Sequence, residues 1–272
     1  MTKTAGASRA AETDILKLQQ TRIEVQRTGK GAPLLFLHGE DGYELDGGLI
    51  GHFAKKYEVF APRLPGFGKS TLPDSIRSMD DAAYLWLDLI DHYGLEKIRV
   101  AGFSVGGWLA LELATKTPAL FDRLLLSGPL GLKFGGAYDR DIEDIYFHPA
   151  DKVRAMRFHD PAADPHADLS GLSKRRALAY AREREAVAKL FWDPYFHNPS
   201  LVHRLNRARM PTLVVSGLKD GMTKPAYGRT LAKKLPNAKF AGIPAAGHFP
   251  HIERPARFLV AADAFLAGRK GF

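Results

Sequence analysis

Ile98-Arg99-Val100-Ala101-Gly102-Phe103-Ser104-Val105-Gly106-Gly107 is the stretch on which the fold turns. Its first half reads as a short buried strand, its second opens a helix, and Gly-x-Ser-x-Gly sits at the junction. A sharp strand-to-helix turn crowds the backbone, so small residues are needed two positions to either side of the serine, whose oxygen is thrust clear of the sheet. The pentapeptide alone reads equally as a glycine-rich turn carrying an ordinary exposed serine. The strand and helix around it favour the nucleophile.

Outward from this turn, short apolar runs alternate with helical patterns between Arg22 and about Pro129, the sign of crossover units and a mostly parallel sheet. Pro33 to Leu37 is apolar throughout, as a strand covered on both faces must be. Arg22 to Arg27 alternates in polarity and reads as half of an antiparallel edge hairpin. Tyr57 to Ala61, Ile98 to Ala101 and Leu124 to Leu126 continue the series, with a helix expected around Asp80 to His92. From Leu130 to Asn206 charged, aromatic and proline residues mix, and the one long periodic segment is Lys174 to Leu190. This stretch reads as an inserted helical subdomain. Strand character returns at Thr212 to Ser216 and near Lys239 to Ile243, and a helix over Pro255 to Leu266 closes the chain.

Composition narrows the chemistry. The 272 residues include 39 Lys+Arg, 30 Asp+Glu and no cysteine, so any nucleophile is an oxygen or nitrogen and no thiolate metal site can form. The net charge of +9 is dispersed and accompanied by no nucleic-acid-reading motif, so a nucleic-acid partner is not expected. No stretch approaches the roughly 18 apolar residues that cross a bilayer. Met1 to Asp14 lacks the apolar run of a secretory signal and reads as a loose tail, which makes the cytoplasm the expected location. The histidines and aspartates between His148 and Asp168 fit no helical metal-ligand spacing, Pro161 and Pro165 interrupt any helix that might align them, and no phosphate-loop lysine follows the glycines. Neither metal nor cofactor is expected.

A serine hydroxyl needs a base, and the base an orienting group. Asp220 follows the strand Thr212 to Gly217, where open sheets of this class put their ligands, although an Asp220-Gly221 turn cap reads as well locally. His248 stands in a glycine-containing loop before the last helix, one of ten histidines. The chain order Ser104, Asp220, His248 links them.

Over Arg22 to the C-terminus the sequence resembles the α/β-hydrolase fold superfamily, which uses the order nucleophile, acid, histidine. Leu37-His38-Gly39, Leu64-Pro65-Gly66-Phe67-Gly68-Lys69-Ser70, the serine turn, and Gly247-His248-Phe249-Pro250 with Glu253-Arg254-Pro255 carry the likeness. The resemblance implies an α/β architecture: about eight mostly parallel strands, helices on both faces, and a helical cap inserted after the sixth strand. The core is then residues 1–129 and 207–272, with 1–14 as the tail and 130–206 as the cap. It also implies an oxyanion hole made by the backbone N–H groups of Val105 and Glu40. A carboxylate at Glu40 would oppose the charge such a hole stabilises. The motif commonly begins with Asp where this chain has Arg63, and Arg63 is therefore expected to pair with Glu40 or Asp41, or else to point into solvent.

A serine nucleophile excludes the aspartate-dependent dehalogenases and epoxide hydrolases of the superfamily. What the resemblance implies is an ester or similar activated carbonyl cleaved through an acyl-enzyme, with C–C hydrolysis of a diketone-type substrate as the alternative. A non-catalytic small-molecule receptor is a third reading, though such receptors usually lose a triad member. The cap is aromatic-rich, and most of its rings are expected to pack it on the sheet. Trp192, His197 and Phe249 are the candidate pocket walls, and Lys174 to Lys189 is expected to be a solvated helix face knit by i,i+4 pairs. The oligomeric state is left open.

Overall fold

The computed structural model describes residues 11–46, 48–136 and 138–269. Among the described residues, eight strands form one sheet: β1 (Glu12–Leu18), β2 (Thr21–Thr28), β3 (Ala32–Leu37), β4 (Tyr57–Pro62), β5 (Ile98–Phe103), β6 (Phe121–Ser127), β7 (Thr212–Gly217) and β8 (Ala238–Ile243). Their spatial order is β1-β2-β4-β3-β5-β6-β7-β8. The β1/β2 and β2/β4 pairs are antiparallel and every other pair is parallel. The helices are α1 (Leu49–Phe53), α2 (Met79–His92), α3 (Val105–Lys116), α4 (Ala150–Arg157), α5 (Lys174–Phe191), α6 (Pro225–Lys234), α7 (Pro250–Glu253) and α8 (Pro255–Leu266).

The apolar runs explain the layering. In β3, Leu34 and Phe36 point into a core shared with Phe53 of α1 and Phe258 of α8, whereas Leu35 and Leu37 point into the opposite core with Trp86 of α2 and Leu109 of α3. Period-two alternation of side chains puts one apolar residue on each face at every step. A strand roofed by helices on both sides therefore has to be apolar throughout. Helix ends follow local chemistry: Ser78 caps α2 by accepting a hydrogen bond from the Asp81 N–H at 3.1 Å, and Ser173 caps α5 through the Arg176 N–H at 3.3 Å.

Two expectations are corrected. Glu12 to Asp14, read as tail, belong to β1, which pairs in register with β2 from Glu12↔Arg27 to Leu18↔Thr21. The hairpin partner of β2 thus precedes it, and β1 is the edge strand. Residues 1–10 of the expected tail lie outside the described residues. Helix α5 is also not merely a solvated face. Lys189 and Glu185 do form an exposed i,i+4 pair at 2.6 Å, but Glu183, Ala186, Val187, Leu190 and Phe191 are buried. The segment between β6 and β7 carries α4, α5 and short 3-10 turns. Among the described residues, no helix is long and apolar enough to cross a membrane.

Candidate active site

Because β5, β7 and β8 run parallel, their carboxyl ends lie on one rim of the sheet, and each leads into one of the three side chains singled out by chain order. Ser104 follows β5 directly, with φ 50° and ψ −115°, a conformation costing a non-glycine residue about 1–3 kcal/mol. Its neighbours explain the glycines. A Cβ on Gly106 would stand 2.1 Å from the Leu37 carbonyl oxygen, and one on Gly102 would stand 2.7 Å from that of Gly106. The spacing is thus a close-approach requirement between β3, β5 and the start of α3.

The structure brings the three residues together. His248 Nε2 lies 2.9 Å from Ser104 Oγ, and His248 Nδ1 lies 2.8 Å from Asp220 Oδ2. Asp220 Oδ1 accepts from the N–H groups of Met222 and Thr223 at 2.8 and 3.0 Å, while Oδ2 also accepts from Thr223 Oγ1 at 2.8 Å. The turn-cap and orienting-group readings of Asp220 are therefore both satisfied by one side chain. Burial disfavours the His248 cation, yet the charge of Asp220 and its hydrogen bond outweigh it, so His248 holds a proton more tightly than an ordinary histidine. Such an array can take a proton from the serine, hold the imidazolium, and return the proton to a leaving group. Ser104 and His248 are 1% and 2% exposed.

Val105 opens α3, and the first amides of a helix have no partner inside it. Glu40 is fully buried, and Gly39 beside it packs so closely that a Cβ there would stand 3.3 Å from Ser104 Cβ. Burial presses the Glu40 carboxyl toward neutrality, but the charges of Arg157 and His248 hold it below the usual carboxylate range.

The expected partner of Glu40 is wrong. Arg63 lies 3.4 Å from Glu24 and stacks 4.3 Å above the Tyr43 ring. Arg157 of α4 takes the role instead, 3.1 Å from Glu40 Oε1 and in contact with Asp41 Oδ2, while Arg184 of α5 lies 3.7 Å from Asp41 Oδ1. Two buried carboxylates on one loop require compensating positive charge, and α4 and α5 supply it. Nothing local in the sequence separates Arg157 from the other basic residues.

The pocket walls fare unevenly. Phe249 is buried beside His248, 5.2 Å from Phe158 with the Arg157 guanidinium 4.7 Å over its ring. Trp192, however, is 57% exposed and stands edge-on to Tyr146 and Tyr195, on the protein surface rather than in a pocket wall beside the triad. His197 bonds the Tyr195 carbonyl oxygen at 2.9 Å and lines a cavity of about 270 Å³ with Trp108, Asn198 and Pro194. A cavity of about 460 Å³ in the segment between β6 and β7 reaches Arg157 and is also lined by Arg154, Arg184, His148 and Tyr180.

The alpha/beta hydrolase fold family model matches residues 32–255. The chain is 28% identical over 257 residues to a 2-hydroxymuconate semialdehyde hydrolase of Pseudomonas putida, covering 90% of this chain and 91% of that one. It is 27% identical over 266 residues to the polyketide synthase ThaQ of Burkholderia thailandensis, of which it spans only 12% while 90% of this chain is covered. Among solved structures, the serine hydrolase CCSP0084 of Cycloclasticus zankles superposes with a TM-score of 0.77 at 20% identity, covering 97% of this chain and all of that one.

Proposed function

The chain belongs to the α/β hydrolase fold family and is a hydrolase; from that premise we propose that Ser104, Asp220 and His248 form its catalytic triad and that it cleaves a carboxylic ester or similar activated carbonyl. The observation that carries this reading is the continuous relay Asp220 to His248 to Ser104, at 2.8 and 2.9 Å. Ser104 attacks the carbonyl carbon, its proton passing to His248 Nε2. The tetrahedral oxyanion is held by the N–H groups of Val105 and Glu40, each such donor being worth about 10²–10³ in turnover. His248 then protonates the leaving alcohol, and a water deprotonated by the same imidazole releases the acid and frees Ser104. Residues 130–206 act as the cap that roofs the site, with Phe249 as a pocket wall.

A second reading, C–C hydrolysis of a diketone-type substrate, is favoured by one comparison: a Pseudomonas putida relative is named for a 2-hydroxymuconate semialdehyde hydrolase. Incubation with p-nitrophenyl acetate and butyrate separates the two. Steady release of p-nitrophenol, abolished by Ser104→Ala, is the expected result. At most slow release, with rapid turnover of a vinylogous diketone acid, transfers the assignment to C–C cleavage. A fluorophosphonate probe is expected to label Ser104 alone; labelling elsewhere, or nowhere, overturns the nucleophile.

A further inference from the structure

The end of α4 touches the catalytic loops at four points. The Met156 carbonyl oxygen accepts from the Gly221 N–H at 2.9 Å, next to Asp220. The Arg157 carbonyl oxygen accepts from the His248 N–H at 2.7 Å. Gly247 allows this approach, since a Cβ there would stand 2.4 Å from that oxygen. Just beyond, the Asp160 N–H donates to Glu253 Oε1 at 2.8 Å, and Glu253 Oε2 accepts from the Gly247 N–H at 2.6 Å. The fourth point is the Arg157 guanidinium, 8% exposed as a residue, on Glu40 and Asp41.

Glu40 adjoins Gly39, where an added Cβ would stand 3.3 Å from Ser104 Cβ, and its charge acts on the His248 imidazole, so it lies close to where negative charge develops during attack on a carbonyl. Left uncompensated in a buried site, that carboxylate would repel the oxyanion and bind a proton on His248 more tightly than the base role requires. We propose that Arg157 is a positioning residue of the catalytic centre, which compensates the Glu40 carboxylate beside Ser104 and, through its carbonyl oxygen, fixes the backbone of His248, so that the nucleophile is competent only with α4 seated. The inference rests on the hydrolase reading of the triad, but its electrostatic part is measurable without any substrate. The charged groups facing His248 are Asp220 from the loop after β7, Glu40 from the loop after β3 and Arg157 from α4; His251 of α7 also faces it, and Arg184 of α5 acts one step away through Asp41.

The test is a charge cycle on the full chain: Arg157→Gln, Arg157→Lys, Glu40→Gln and the double variant Arg157→Gln/Glu40→Gln. Two quantities are followed across pH, the rate of fluorophosphonate labelling of Ser104 and the ring titration of His248 by NMR. Arg157→Gln is expected to slow labelling at pH 7 about tenfold and to move the His248 titration to higher pH. Adding Glu40→Gln is expected to restore labelling to within about threefold, because the charge that needed compensation is gone. Arg157→Lys is expected to keep most of the wild-type rate. A double variant as slow as Arg157→Gln alone overturns the proposal, since a purely structural contact gains nothing from a second deletion. Should Arg157→Gln fail to fold, Glu40→Gln decides: the His248 titration moves to lower pH, or the proposal is wrong. Failure of ester turnover with the NMR shifts intact refutes the hydrolytic reading and leaves the electrostatic one standing.

Discussion

Ser104 shows how one position joins local backbone chemistry to the proposed catalysis. Its strained φ is maintained by the crowded approach of β3, β5 and α3, and the same crowding leaves no room for a side chain at Gly106. Gly106→Ala is expected to destabilise the protein by about 1–3 kcal/mol or more, read as a lowered denaturant midpoint, because the added methyl meets backbone rather than a flexible side chain. An unchanged midpoint would show that the turn relaxes freely. Ser104→Ala, Asp220→Ala and His248→Ala are each expected to lower kcat about 10⁴-fold or more with folding intact, and the losses should not add, because the relay works as a unit. Purified single and double variants assayed on one ester check this. These three residues were legible because each stands at a strand end in an order that one fold uses. The partner of Glu40 was not legible: Arg63 is close in sequence and opposite in charge, but its guanidinium is taken by Glu24 and Tyr43.

Among the elements, α4 and β1 escaped the sequence reading for different reasons. Helix α4 is eight residues long, polar, and buries only Arg157, so it carries no apolar stripe from which a period can be read. Strand β1 has exposed or half-exposed side chains along most of its length, as an edge strand can. The long helices were legible because their stripes repeat over several turns, as in α2, which buries Met79, Ala82, Ala83, Leu85, Trp86, Leu89 and Ile90. What α4 lacks in hydrophobicity it has in docking, and Glu253 is the clasp on which that docking turns. Glu253→Ala leaves the N–H groups of Gly247 and Asp160 without their acceptor, and is expected to cost about 1–3 kcal/mol in thermal or denaturant unfolding. A fall in kcat of the folded variant, larger than its change in KM, is expected with it, since the Gly247 loop carries His248.

At the scale of the whole molecule, two further histidines couple stability to pH. Burial lowers His38 and His251 to about 4, His251 despite its 2.7 Å bond to the Leu45 carbonyl oxygen and His38 despite its bond to that of Gly39. Both are neutral in the folded protein near pH 6, where the unfolded chain, with an ordinary histidine pKa of about 6.5, already takes up protons. Their stabilisation is therefore complete above about pH 6.5 and is lost as pH falls toward 4, about 3 kcal/mol for each. His248, raised rather than lowered, contributes in the opposite sense, losing stabilisation as pH rises through its folded value. Melting temperatures are expected to fall steadily from pH 6.5 to 4.5, and His251→Gln to flatten roughly half of that slope; an unchanged slope refutes the assignment to His251. By itself the sequence determined the mostly parallel sheet and the strand ends that carry Ser104, Asp220 and His248, because apolar periodicity, close-packed glycines and strand-end positions are local or ordered along the chain. Only the tertiary structure decided which cation answers Glu40, which rings between β6 and β7 are buried and which stand exposed, and how α4 grips the histidine loop. Those depend on contacts far apart in the chain, 117 positions for Arg157 with Glu40 and 93 for Asp160 with Glu253, whose partners are chosen by packing geometry and charge rather than by anything their neighbours in sequence reveal.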